Sequence, residues 1–168
     1  MVFKIAISEA LYSSKKVEWE TPQPIFDFMN KEGHFDRDVC ALPENAKCAE
    51  YFTPEQDGLA QNWNGVCWMN PPYGRDISKW MKKAYETAKY HQGTVVALVH
   101  ARTDTKWWHD YAMQATYIIF IKGRLKFGNA DTSCPFPSCF VIFENGRVGT
   151  GLYPHITAVG REEMMQNG

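Results

Sequence analysis

The sequence predicts an α/β fold, a mainly parallel sheet with helices on both faces, and three observations carry that expectation. Its 168 residues amount to one domain, at roughly 100 to 200 residues per domain. Continuous apolar runs of strand length recur at Gly65-Val66-Cys67-Trp68-Met69, 94–99, 116–121 and 140–143. Unbroken apolarity, rather than alternation, marks strands covered on both faces. Between the runs lie stretches with helical apolar spacing, and strands alternating with helices build a parallel sheet.

Taken in order, residues 1–18 carry little pattern, and Ser13-Ser14-Lys15-Lys16 reads as a polar lead-in. The domain proper spans 19–148. Thr21-Pro22 starts a helix, Thr as N-cap and Pro at the first helical position. Ile25, Phe26, Phe28 and Met29 form its apolar side, and Gly33 ends it. A short strand is expected at 35–41 and a brief helix at Pro43-Glu44-Asn45-Ala46-Lys47. Residues 51–64 read as loop, with a turn at Asp57-Gly58. After the strand ending at Met69, residues 76–91 place Ile77, Trp80, Met81, Ala84 and Ala88 at helical spacing. A Trp-rich helix is expected at 104–114; adjacent Trp107 and Trp108 point about 100° apart, so one of them faces the core. The tail over 149–168 shows no legible element.

Composition excludes several classes. With 45% hydrophobic and 22% charged residues, the chain is not disordered. No apolar run approaches the roughly 20 residues of a membrane span, and the N-terminus lacks a signal peptide's apolar stretch. A cytoplasmic protein is expected. Net charge is −1, which decides nothing about nucleic acid, because a local patch can steer binding. The five cysteines lack disulfide spacing and read as free thiols of a reducing compartment. No Cys or His pair has the spacing of a structural zinc site, so no metal is expected.

In a parallel sheet, ligands bind beyond the C-terminal ends of the strands. Three loops expected there carry unusual residues: 38–45, 70–76 and 100–106. Asn70-Pro71-Pro72-Tyr73 directly follows an apolar strand. Two prolines remove two amide donors and fix φ, giving a rigid turn with outward carbonyls. Such acceptors suit alkylation of an amino group on an aromatic ring, whose lone pair is delocalised and weakly nucleophilic. If the Asn70 side-chain oxygen and the Pro71 carbonyl take its two hydrogens, the nitrogen can become tetrahedral, and its growing positive charge meets preorganised dipoles. Tyr73 supplies a face for a flat base. The plain alternative is a turn that only terminates a strand.

The ordered set of motifs resembles the phage-type DNA adenine-N6 methyltransferases, a compact branch of the S-adenosylmethionine-dependent amino-methyltransferases. The likeness spans about residues 13–145. It rests on Trp19-Glu20-Thr21-Pro22, Phe35-Asp36-Arg37-Asp38-Val39-Cys40-Ala41, Glu44-Asn45-Ala46-Lys47-Cys48, Asp57-Gly58-Leu59, Trp68-Met69-Asn70-Pro71-Pro72-Tyr73 and Gly123-Arg124-Leu125-Lys126-Phe127. The resemblance implies a Rossmann-like methyltransferase fold of reduced size, S-adenosylmethionine as cofactor and double-stranded DNA as partner. Trp19, Thr21 and Pro22 match the segment holding the methionine end of the cofactor, Asp38 and Ala41 the turn after the first strand. Asp57 matches the acid that accepts from the cofactor's adenine amine, and Asn70 borders the cofactor as well as the target. The turn after the first strand lacks the glycines most relatives carry. The short interval to Asp57 leaves Glu44, Asn45 and Glu50 as candidates for the ribose. On the residues alone, Asp38 could instead cap the helix after Ala41, and Asp57 could simply make its turn.

Between residues 100 and 127, Arg102, Lys106, Lys122, Arg124 and Lys126 outnumber the acids by three. Aromatic residues lie among them, as phosphates and bases would favour. Arg102, Lys106, Arg124 and Phe127 are the DNA-binding candidates beside Tyr73. By the resemblance, Phe127 packs on an extruded base; by its alternation with Leu125 it is core. Three functions fit: a DNA adenine-N6 methyltransferase acting by base flipping; an enzyme of the same fold acting on cytosine N4, RNA or a protein amide; and a catalytically silent DNA-binding relative.

Overall fold

The computed structural model describes residues 20–128, 131–152 and 154–168; the polar lead-in and Trp19 lie outside them. Its elements are α1 (Gln23–Gly33), β1 (Arg37–Asp38), β2 (Glu50–Tyr51), β3 (Val66–Met69), α2 (Ile77–Tyr90), β4 (Thr94–His100), α3 (Lys106–Asp110), β5 (Tyr117–Lys122), β6 (Ser138–Phe143), β7 (His155–Gly160) and α4 (Arg161–Asn167). The strands form one seven-stranded sheet in the order β2-β1-β3-β4-β6-β5-β7.

The sheet is mixed. β2, β1, β3 and β4 pair in parallel, as do β5 and β7, but β6 runs antiparallel to both β4 and β5. The reversal follows from the connection: among the described residues no helix lies between β5 and β6, and neighbouring strands joined without a crossover are antiparallel. Residues 149–168 are the second departure. Their strand β7 is largely exposed at the sheet edge, so burial imposed no apolar pattern that could be read in advance.

The unbroken apolar runs have the expected cause, since both faces of the central strands are covered. Cys67, Met69, Val95, Ala97 and Val99 face a core closed by Trp80, Met81 and Ala84 of α2 and by α3. Trp68, Val96, Leu98 and Phe140 face a second core closed by Ile25 and Phe26 of α1 and Met164 of α4. Burial of such side chains contributes about 1.5–3 kcal/mol each. Trp107 and Trp108 are both core residues, and the expected helix at 104–114 is two pieces, α3 and a single 3-10 turn at Ala112–Gln114.

Two local expectations fail near the N-terminal side. Pro22, not Thr21, is the N-cap of α1, without a side-chain cap bond. The Thr21 hydroxyl accepts instead from Asn70 Nδ2 at 2.9 Å. Residues 43–47 are a turn rather than a helix: Asn45 N donates to Leu42 O at 3.1 Å and Leu42 N to Asn45 Oδ1 at 2.8 Å. An asparagine bonding its own backbone neighbours competes with helix formation. Among the described residues no helix is long and apolar enough to cross a membrane.

Candidate active site

A cleft of about 690 Å³ opens where β1, β2 and β3 end. Its walls come from the turn after β1, from the 3-10 turns at Pro54–Gln56 and Gly58–Ala60, and from the loop after β3. All three follow strands of one direction, so their residues converge on one side of the sheet.

The turn after β1 is built by backbone bonds and a buried acid. Val39 N donates to Trp68 O at 3.0 Å, Ala41 N to Phe52 O at 2.9 Å, and Phe52 N to Asp38 O at 3.0 Å. Asp38, 3% exposed, accepts from Cys40 N at 3.3 Å and Lys47 N at 3.1 Å. Burial raises its pKa to about 6 against those stabilising amides. Its carboxylate therefore closes the loop and also faces the cleft; it caps no helix, because none follows.

Asp57 and Gly58 form the opposite lip. Asp57 adopts a left-handed conformation, φ 51°, and its Oδ1 accepts from Leu59 N at 3.2 Å. Gly58 is buried, and a Cβ there would lie 2.2 Å from the Val39 carbonyl oxygen. The glycine absent after β1 is thus supplied from the other side: Gly58 lets the second lip approach the first backbone to backbone. Trp63 Nε1 donates to the Gly58 carbonyl at 2.8 Å, and Trp63 stacks on Trp80 behind it.

The loop after β3 is held by prolines and side chains. Pro71 is buried and Pro72 exposed. Asn70 Nδ2 donates to Thr21 Oγ1, which orients its carboxamide, and the single Tyr73 hydroxyl proton is shared between Asn70 Oδ1 at 3.3 Å and Leu98 O at 3.2 Å. The Asn70 backbone amide donates to the Cys40 thiol, joining this loop to the first turn. Burial pushes the Tyr73 hydroxyl well above its ordinary value, so it stays a neutral phenol.

Thr21, Asp38, Ala41, Asn45, Asp57, Asn70, Pro71, Pro72 and Tyr73 all line this cleft. Pro22 starts α1 just behind Thr21 and is not part of the wall. Of the ribose candidates only Asn45 reaches the cleft; Glu44 is exposed outside it, and Glu50 forms an ion pair with Arg37. Arg102, Lys106 and Arg124 lie outside the cleft. Arg102 pairs with Asp104 at 3.3 Å, Lys106 with Asp110, and Arg124 Nη1 donates to Pro135 O at 2.5 Å. Phe127 is 1% exposed in the α1 core, so of its two readings the structure shows the core one. Phe52, Thr53 and Pro54 line the cleft unforeseen. Their signal was position directly after a strand, and a two-residue strand leaves no pattern. No group of three or more His, Cys, Asp or Glu that could hold a metal occurs among the described residues.

A mixed α/β sheet thus carries a ligand-sized cleft bordered by the Asn-Pro-Pro-Tyr loop, an arrangement consistent with a methyltransferase-like fold. The family model described as DNA N-6-adenine-methyltransferase (Dam) matches residues 8–168, and the chain belongs to that family. It is 35% identical over 140 residues to the DNA N-6-adenine-methyltransferase of Haemophilus phage HP1 (strain HP1c1), covering 78% of this chain and 80% of the relative. It is also 39% identical over 64 residues to the protein YfdM of Escherichia coli (strain K12), covering 33% of this chain and 70% of that one.

Proposed function

We propose that this DNA adenine-N6 methyltransferase takes its methyl group from S-adenosylmethionine and acts on an adenine flipped out of double-stranded DNA, in the cytoplasm. The observation that carries the reading is the Asn70 carboxamide, oriented by Thr21 and set where the cleft meets the Pro-Pro turn. With Nδ2 engaged by Thr21, Oδ1 is the end that can receive an amine hydrogen.

The cleft suits the cofactor. Its volume of about 690 Å³ lies within the range of roughly 300–1,000 Å³ of small-molecule sites. Asp57 stands at one lip to accept from an adenine amine, with Phe52, Leu42 and Pro54 as apolar wall. Thr21, bonded to Asn70, and Asp38 also line the cleft, and there a methionine moiety would find an acid for its amine. When bound, S-adenosylmethionine supplies an electrophilic methyl on a sulfonium.

The protein's part is to make a poor nucleophile competent. An adenine amine inside a duplex is out of reach, and extrusion costs a few kcal/mol. Stacking on Tyr73 offsets part of that. Asn70 Oδ1 and the Pro71 carbonyl then accept the two N6 hydrogens, drawing the nitrogen toward tetrahedral geometry while its positive charge grows against fixed dipoles. The C–N bond forms as the methyl's C–S bond breaks to leave a neutral thioether; the amine proton becomes acidic only then and passes to water, so no prior general base is required.

Labelled methyl transfer to DNA from a methylation-deficient host, followed by nucleoside analysis, tests this. N6-methyladenine is the expected product. Label confined to N4-methylcytosine, RNA or protein would overturn the reading, as would a protein that binds no S-adenosylmethionine.

A further inference from the structure

His100 ends β4. It is 6% exposed and stands opposite Ser138 in the β4–β6 register. Its imidazole stacks on the Tyr73 ring with centroids 3.7 Å apart and planes 1° from parallel. Its Nε2 is 3.3 Å from Cys134 Sγ. Phe136, on the Cys134-Pro135-Phe136-Pro137 turn, covers its outer side at 5.1 Å, and the Arg102 guanidinium lies over Phe136 at 5.1 Å. Tyr73 is therefore gripped at two ends, its hydroxyl by Asn70 and Leu98 and its ring by His100.

We propose that His100 is a positioning residue for methyl transfer: stacked behind Tyr73, it sets the tilt of the ring that receives the target base and, through the Tyr73 hydroxyl, the aim of the Asn70 carboxamide. The inference rests on the reading that Tyr73 receives the base. A phenol pinned at its oxygen alone can still rotate about its side-chain bonds; a parallel ring at van der Waals distance removes that freedom. The imidazole is neutral over the working range, because burial lowers its pKa to about 4, and it contacts Tyr73 as a flat ring rather than as a cation. His100 does not line the cleft itself.

The test compares His100→Ala, His100→Phe and His100→Asn in steady-state methylation of unmethylated DNA, with S-adenosylmethionine affinity measured by calorimetry. His100→Ala is expected to lower kcat by about tenfold, the rate equivalent of an aromatic pair, with cofactor affinity within about twofold. His100→Phe restores the flat ring without the Cys134 contact and should recover most of kcat; His100→Asn keeps a polar contact without the ring and should not. Wild-type kcat in His100→Ala overturns the proposal. So does the reverse pattern, His100→Asn active and His100→Phe impaired, which stands as the criterion if His100→Ala fails to fold. Asn70→Ala run alongside separates the two readings: loss of turnover there with normal turnover in His100→Ala removes only His100, whereas an active Asn70→Ala removes the proposed role of the loop itself.

Discussion

The turn after β1 and the turn after β3 leave neighbouring strands side by side, both line the cleft, and they are made rigid in opposite ways. The first is stitched by backbone amides, with Asp38 accepting two of them and Gly58 pressed against the Val39 carbonyl. The second is stiffened by two prolines, and its working groups are held by other side chains: Asn70 by Thr21 and Tyr73, Tyr73 by His100. The lesson is one of separability. Where the backbone forms the site, a substitution disturbs fold and cofactor binding together. Where a side chain forms it, the same kind of change can remove chemistry alone.

The sharpest way to break this contrast is at Asn70. Asn70→Ala should lower turnover by about 10²–10³-fold, as loss of a transition-state hydrogen-bonding group does. Cofactor affinity should stay within about twofold, because the carboxamide acts mainly on the amine as charge develops. Equal losses in affinity and turnover would show that the second turn is no more separable than the first.

Asp57→Ala comes next. On the proposed reading, in which Asp57 accepts from the cofactor's adenine, its removal should weaken S-adenosylmethionine binding by about tenfold or more, and calorimetry reads it directly. Unchanged affinity would leave Asp57 only its bond to Leu59. Gly58→Ala should move stability and affinity together. A methyl 2.2 Å from the Val39 oxygen must push the lips apart, at a cost of about 1–3 kcal/mol. A normal melting temperature with normal affinity would mean that the lips are not coupled through this contact.

The smallest effect is in pH dependence, where the two sides oppose one another. Asp38 is raised to about 6, so its contribution is fully present below its ordinary value of 3.8 and is lost as pH rises through 6. His100 is lowered to about 4, so its contribution is present above 6.5 and is lost as pH falls through 4. Between pH 4 and 6 the two slopes offset each other. His100→Phe should leave stability falling as pH rises across that interval, and Asp38→Asn should leave it rising. Denaturant midpoints at several pH values distinguish them, and parallel slopes in the two variants would remove one assignment.

The parts of this architecture legible in the sequence share a physical cause. Burial on both sides of a strand leaves an unbroken apolar run, as at Val66–Met69 and Thr94–His100, and a Pro-Pro pair directly after one has few conformations open to it. Asp57-Gly58 was legible as a turn because left-handed backbone favours those residue types. β7 was not, since an exposed edge strand meets no packing demand that would write itself into residue choice. β1 and β2 are too short for any period to show, which hid Phe52, Thr53 and Pro54.

By itself, then, the sequence determined that strands and helices combine in an α/β fold, that a stiff acceptor-bearing loop follows the Trp68-Met69 strand, and that the turns carrying Asp38 and Asn70 lie together at one end of the sheet. Only the tertiary structure decided that β6 runs backward, that Phe127 is packed inside while Tyr73 fronts the site, that Gly58 supplies the close approach missing after β1, and that His100 lies flat behind Tyr73. These matters turn on which surfaces meet between residues far apart along the chain. Local residue patterns record whether a side chain is buried; they do not record what it is buried against.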